Sequence, residues 1–250
     1  MGTLIDTTNL ALAMDGTTNG DVTHTGGSFI SDTKTGGRTL YCWARIVALT
    51  PGDTFLLLQA YNAAVTGYWI FKIANVSYTG NQNRLALQTR VVGSGSIWCV
   101  LDTILTTGTT YLLGVKTDGS TLSLGINGVW GGTYYTAPSA GGVWIGDLGM
   151  TGTITTSLGK GGAAINNNGY LDECTMANKA LTGTEFMEVY TAGPNADPAL
   201  LSFYAANVKH RWPIDNFTGA SSPFTLPDVI GSDHFTLTAV SGNPSIAPFP

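Results

Sequence analysis

The residues able to do chemistry are few in this chain. Glutamate occurs only as Glu173, Glu185 and Glu188. Glycoside hydrolysis needs two carboxyl groups converging on one bond. Asp172 and Glu173 are neighbours, and a regular strand sends neighbours to opposite faces. Glu185 and Glu188 fall in a helix signal. His24, His210 and His234 are widely separated, and a Ser–His–Asp constellation assembles in space whatever its order in sequence. No G-x-S-x-G elbow accompanies them. Gly93-Ser-Gly-Ser-Ile97 reads as a turn. Gly159-Lys-Gly-Gly162 lacks the upstream Gly and the following Ser/Thr of a phosphate loop. Cys42, Cys99 and Cys174 each stand in an apolar run without metal-ligand spacing, which predicts buried thiols rather than a zinc site. The sequons at Asn75 and Asn216 are read as coincidence, because residues 1–30 show no basic start followed by an apolar block.

Binding chemistry has more material. Trp130, Tyr134 and Tyr135 lie near the Asn127-Gly128 turn and could form an aromatic platform or a subunit contact. Trp43, Trp69, Trp98 and Trp144 sit in apolar strands and are expected in the core. Asp147, Asn166 and Asn168 could offer oxygen ligands on loops, although no D-x-D-x-D series supports them and turn formation is their ordinary use.

The elements that must position these groups are short strands. Apolar runs at Leu10–Met14, Leu40–Leu49, Phe55–Tyr61, Tyr68–Ala74, Arg84–Val92, Ser96–Leu101, Thr110–Lys116 and Thr121–Ile126 alternate with turn residues. Further runs follow at Tyr134-Tyr135, Val143–Gly146 and Tyr170–Met176. Thr117-Asp-Gly-Ser120 predicts a tight hairpin turn. The chain has 33 Gly in 250 residues and only 11% charged residues, a composition that suits strands with tight turns. No run reaches membrane-span length. A net charge of −5 with scattered Lys and Arg opposes a nucleic-acid role. The prediction is an all-β, two-sheet antiparallel sandwich over residues 1–193. One helix stands out. Thr182-Gly-Thr-Glu185 is a capping box, Leu181 and Phe186 are spaced as a hydrophobic staple, and Gly193-Pro194 ends the run.

That segment resembles the closing strand and helix of laminin-G-like, concanavalin A-like jelly rolls. The matching residues are Gly169-Tyr-Leu-Asp-Glu173, Asn178-Lys-Ala-Leu-Thr182, Glu185 and Val189-Tyr190. Three further pieces agree in order: Leu10–Gly16, Thr39–Val47 and Thr110–Gly128. The resemblance covers about residues 8–192. It implies the jelly-roll fold. Relatives often hold a calcium ion at the sandwich rim, for which Asp147, Asn166 and Asn168 would be the candidate ligands, but turn formation is the default use of these residues and no cofactor is expected. The glucanase relatives carry E-x-D-x-x-E on one strand, a pattern absent here.

Beyond Pro194 the character changes. Asp197-Pro198 opens an expected second helix to about Ala206. Then come His210-Arg-Trp212, Asp228-Val-Ile-Gly231, a strand-like Phe235–Val240 and a Pro-ended tail without a strand pattern. Residues 194–250 are expected to be an appendix, helical and extended. Its Trp212, Phe217, Phe224 and Phe235 would bury against the sandwich or a neighbouring subunit, and its removal would leave the sandwich folded. The order of these pieces resembles the C-terminal appendix of laminin-G-like proteins of tailed bacteriophages. That resemblance implies a non-enzymatic virion structural protein, a head decoration protein or tail-associated adhesin, located in the virion. Its partners would be other virion proteins and further copies of itself, without nucleic acid or membrane. The alternative is a lectin-like module that binds a host glycan. A glycoside hydrolase is the third reading.

Overall fold

The computed structural model describes residues 10–16, 21–49, 54–76, 82–131, 133–135, 143–159, 167–216, 223–238 and 245–250. Its strands are β1 (Leu10–Asp15), β2 (Asp21–Thr25), β3 (Arg38–Ala48), β4 (Thr54–Asn62), β5 (Tyr68–Val76), β6 (Gln82–Arg90), β7 (Ile97–Ile104), β8 (Thr110–Thr117) and β9 (Leu122–Ile126). They continue as β10 (Val129–Trp130), β11 (Thr133–Tyr135), β12 (Ile154–Leu158), β13 (Asn168–Ala177), β14 (Val208–Trp212), β15 (Phe224–Leu226), β16 (Phe235–Thr238) and β17 (Ser245–Pro248). The helices are α1 (Gly183–Ala192) and α2 (Tyr204–Asn207).

Two antiparallel sheets face each other as a jelly-roll sandwich. Sheet A runs β10-β9-β8-β3-β13-β1-β17, with β14 also on β13. Sheet B runs β11-β7-β6-β5-β4-β12-β2-β16-β15. Alternation decides which side chains enter the space between them. On sheet B, Phe71, Ile73, Leu85, Leu87, Cys99 and Leu101 point inward, toward Leu40, Cys42, Leu113 and Val115 of sheet A. The three cysteines are buried and unbridged, as small apolar residues would be.

The hairpin turns follow the sequence. Asp118 Oδ1 accepts from the Ser120 and Thr121 N–H groups at 2.8 and 2.7 Å, closing β8 onto β9. Those hydrogen bonds hold the Asp118 carboxyl well below the usual carboxylate range. Asn127 and Gly128 both take positive φ, as a two-residue hairpin loop requires.

Helix α1 lies on the outer face of sheet A. Its capping box forms as predicted: Glu185 N–H donates to Thr182 Oγ1 at 3.2 Å, and Thr182 N–H to Glu185 Oε2 at 2.9 Å. Thr39 Oγ1 accepts from Leu181 N–H at 3.0 Å and donates to the Lys179 carbonyl at 2.7 Å, which pins the helix entry to β3. Beneath the helix, Gly114 of β8 pairs with Gly125 of β9. A Cβ at Gly125 would stand 2.6 Å from both Phe186 Cε1 and Trp130 Cε3. The two glycines therefore make the hollow in which Phe186 and Trp130 stack, with centroids 4.1 Å apart.

The C-terminal residues correct the expected appendix. Residues 194–250 supply β14 and β17 to sheet A and β15 and β16 to sheet B. Trp212, Ile214, Leu226, Phe235 and Leu237 are part of the main core. The Pro-ended tail, read as patternless, pairs with β1 as an edge strand, where Pro248 costs no interior ladder bond. The expected helix from Pro198 to Ala206 divides into a 3-10 turn, Pro198–Leu200, and the four-residue α2. The Asp197 side chain caps the turn, accepting from Ala199 N–H at 2.9 Å, but Leu201 reverts to extended backbone. Val143–Gly146, expected to be a strand, leads instead into the 3-10 turn Ile145–Leu148.

Candidate functional site

Three groupings of polar side chains could support function, and their surroundings distinguish them. The first brings together residues far apart in sequence. His210 Nδ1 lies 2.6 Å from Asp228 Oδ2, and His210 Nε2 lies 3.5 Å from Ser28 Oγ. That is the order of a nucleophilic triad. The site, however, contains a second carboxylate. Asp233 Oδ2 accepts from Ser28 Oγ at 2.9 Å, from Ser28 N–H at 2.6 Å and from Phe29 N–H at 3.2 Å. The hydroxyl is thus donated to Asp233. The adjacent N–H pair that could stabilise an oxyanion is already bound to a fixed negative charge. Asp228 Oδ1 is bonded in turn to the N–H groups of Arg211, Ile230 and Gly231. Burial works to raise the Asp228 carboxyl, but the His210 hydrogen bond and those N–H groups outweigh it and hold the carboxyl below the ordinary range. A Cβ at Gly231 would meet Asp228 Oδ2 at 2.4 Å, so the D-x-x-G motif needs glycine for close packing. This grouping is an internal lock that ties the C-terminal strands to the turn at Ser28–Ser31.

The second grouping surrounds a bulge in β13. Glu173 takes a φ of 50°, and Glu173 and Cys174 together stand opposite Cys42, between the Asp172–Trp43 and Thr175–Tyr41 pairs. The expectation that Asp172 and Glu173 face apart assumed a regular strand, and the bulge removes that basis. Arg211 holds Glu173 with two bonds of 2.8 Å. Asp172 is fully buried, and burial, Glu173 and Asp215 all push its carboxyl well above the ordinary range. A bidentate partner and full burial leave neither carboxyl able to meet a substrate.

The third grouping lies on the outer face of sheet B, which no described helix covers. Outward positions on neighbouring strands place Tyr61, Tyr68, Lys72, Gln88, Arg90 and Trp98 side by side. Lys72 Nζ donates to Gln88 Oε1 at 2.8 Å and stands 4.3 Å from the centre of the Trp98 ring. Gln88 Nε2 donates to Tyr68 Oη at 3.1 Å, and Tyr68 Oη bonds Ser96. Gln59 reaches Ser157 on the adjacent strand at 3.5 Å. Trp98, Gln88, Tyr68 and Tyr61 are half-buried, so each presents some surface. Lys72 is only 6% exposed, and burial lowers its ammonium to about 8.

Trp130 is stacked on Phe186, donates Nε1–H to the Thr182 carbonyl at 3.3 Å and carries Lys116 Nζ over its ring, so it packs under α1. Tyr134 and Tyr135 lie in β11, in register with Val100 and Cys99. Trp212 and Phe235 are fully buried and cannot meet a neighbouring subunit. Phe224 is partly buried against the same core, and Phe217 lies outside the described residues. Asp147 Oδ2 accepts from Trp144 N–H and Lys34 N–H at 2.8 and 2.9 Å, a turn-forming use. Asn168 lines a cleft of about 230 Å³ with Asp15, Tyr170 and Ser245, which Asp147 does not reach. Asn166 lies outside the described residues. Among the described residues no three His, Cys, Asp or Glu side chains converge as a metal site. No described helix is long and apolar enough to cross a membrane.

Comparison with solved structures finds the same fold in other proteins. A Bacteroides ovatus ATCC 8483 protein, described provisionally as carbohydrate-binding, superposes with a TM-score of 0.61 at 14% identity over 97% of this chain. This chain spans only 60% of that protein's length. The CBM40 domain of the Ruminococcus gnavus IT-sialidase, bound to α2,3-sialyllactose, gives 0.51 at 12% identity, covering 73% of this chain and 99% of the domain. The SAP-like pentraxin of Limulus polyphemus gives 0.50 at 14% identity, covering 76% and 85%. The fold is the jelly roll that these domains share. No protein-family model and no curated protein matches the sequence.

Proposed function

We propose that this chain is a non-enzymatic carbohydrate-binding module that takes its ligand on the outer face of sheet B. The observation that carries this reading is the joined row of Trp98, Lys72, Gln88 and Tyr68. A saccharide offers an apolar ring face and a rim of hydroxyl groups. Trp98 and the tyrosines supply surfaces for the former, and the Gln88 amide and the tyrosine hydroxyls supply donors and acceptors for the latter. Gln88 is already held between Lys72 and Tyr68, so little rotamer freedom remains to be lost on binding. The fold likeness to a module seen with sialyllactose supports the same reading. The two carboxylate groupings are internal ties, which supports a non-catalytic role.

The virion role implied by the sequence resemblance is not favoured. None of the three similar structures described above is a virion protein. Trp212 and Phe235 bury within their own chain, so they supply no reason to expect a second subunit.

A glycan array followed by calorimetry tests the reading. Wild-type protein and Trp130→Ala should bind the same saccharide with affinities within a few fold, because Trp130 lies on the opposite sheet. Trp98→Ala should lose at least tenfold. Equal binding by wild type and Trp98→Ala would contradict the assignment.

A further inference from the structure

The ligand-facing side of sheet B holds a buried cation without a counter-ion among the described residues. The recorded partners of the Lys72 ammonium are an amide oxygen and an aromatic face. An ammonium has three protons to donate. Among the described residues no carboxylate pairs with it, and burial alone accounts for its lowered proton affinity, without a contribution from any charged neighbour. The chain's acids whose side chains are not described are Asp6, Asp21 and Asp53. Buried charges are ordinarily paired, so an unpaired one marks a place where something else supplies the opposite charge.

The surrounding face agrees in sign. Arg84 and Arg90 stand on the same outward row of β6 as Gln88, and Asp102, exposed on β7, is engaged by Arg84. Lys72, Arg84 and Arg90 thus face outward with a single carboxylate among them. The chain as a whole is acidic, with 11 Lys and Arg against 16 Asp and Glu. The local excess of cations runs against the composition.

We propose that this face selects an acidic saccharide, with the carboxyl or sulfate group of the sugar bound at Lys72 while the sugar ring lies against the exposed part of Trp98. The proposal rests on the carbohydrate-binding reading and adds the class of ligand to it. A sugar set against the exposed part of Trp98, beside the face that the ammonium occupies, places a ring substituent next to Lys72. The ammonium on that indole is already oriented by Gln88. An anion there would satisfy the remaining proton and offset the desolvation of both charges. The other titratable or charged groups on this face are Tyr61 from β4, Tyr68 from β5, Arg84 and Arg90 from β6 and Asp102 from β7, with Tyr134 of β11 and Asp21 of β2 at outward register positions.

The test uses the full chain and a panel of oligosaccharides bearing a uronic acid, a sialic acid or a sulfate. Each is paired with its neutral form, methyl-esterified or desulfated. At pH 6.5 wild type should bind the acidic member of at least one pair about tenfold more tightly. The sugar's acid is ionised throughout, so the preference should shrink as the pH is raised through 8 and Lys72 loses its proton. Lys72→Met keeps the stem and removes the charge, and it should bind both members of the pair alike. The carboxylate and sulfate arms identify which anion is preferred. If neutral forms bind as well as acidic ones, with binding still lost in Trp98→Ala, the acidic-ligand inference fails and the module reading stands. If Lys72→Met keeps the preference, the inference fails as well. If no saccharide in the panel binds, both fall.

Discussion

At the scale of single residues, Lys72 carries a cost that its environment does not repay. Its ammonium is lowered from 10.5 to about 8 by burial. The unfolded chain therefore holds that proton more tightly than the folded one. The penalty is fully present at pH 7 and fades as the pH rises from 8 toward 10.5. Its size is on the order of 1–3 kcal/mol. Lys72→Met should accordingly stabilise the fold at pH 7 by about 1–2 kcal/mol, raising the thermal midpoint by a few degrees. The gain should diminish toward pH 10. A destabilised Lys72→Met would mean that the ammonium is structural. Residue roles were only partly legible in the sequence. Trp98 was expected in the core because Ile97-Trp-Cys-Val-Leu101 is apolar at every position, so the sequence contains no sign of which alternate residues face out. The register of β7 on β6 turns Trp98 outward and Cys99 inward. Trp130 was expected at a rim because it follows the Asn127-Gly128 turn. The hollow that covers it depends on Gly114 and Gly125, whose meeting across β8 and β9 requires the hairpin register.

At the scale of elements, the sandwich is closed by a lock whose parts come from three places in the chain. The turn at Ser28, strand β14 and the segment from Asp228 to Asp233 meet through His210, while His234 Nδ1 accepts from Asp228 N–H at 2.9 Å. The Asp228 carboxyl is held below the ordinary range. Its contribution is therefore fully present above the unfolded carboxylate value of about 4 and is lost as the pH falls through the lower folded value. Asp228→Asn should destabilise the protein by about 2–4 kcal/mol at pH 7. The gap from wild type should close below pH 4. Hydrogen exchange should show the N–H groups of Arg211, Ile230 and Gly231 opening first in the variant. Unchanged exchange there would show that the loop is held by other contacts. The helix and the two-residue turns were readable because their signals are local: a capping box at Thr182 and Glu185, and Asn127-Gly128. Strands such as β12, with Thr155, Thr156 and Ser157 at its centre, were missed because polar residues occupy both faces. Burial of Thr156 and Ser157 comes from the neighbouring strands β2 and β4.

At the scale of the molecule, both sheets depend on the last fifty residues. Strand β16 was legible in the strand-like run from Phe235, but β14, β15 and β17 are three to five residues long, too short for a period to emerge from sequence, and the pairing of all four became visible only in the assembled sheets. The sequence-based reading allowed a truncated chain to fold; the structure predicts the reverse. Ending the chain at Asn207 would remove Trp212, Ile214, Phe235 and Leu237 from the core. Each is a fully buried side chain contributing about 1.5–3 kcal/mol. The product should be unfolded or aggregated by circular dichroism and size-exclusion chromatography. A monodisperse β-rich product would show that the first 207 residues form a core alone. On this scaffold, sheet A is occupied by its own helix, while the outer side of sheet B presents aromatic, amide and cationic groups. The most direct test of that division is a backbone-amide NMR titration with the saccharide bound most tightly on the array. The account predicts shifts concentrated on Tyr68–Lys72, Gln88–Arg90 and Trp98–Val100, with the α1 residues unmoved. Shifts centred on the cleft at Asp15, Asn168 and Tyr170, with sheet B silent, would contradict it.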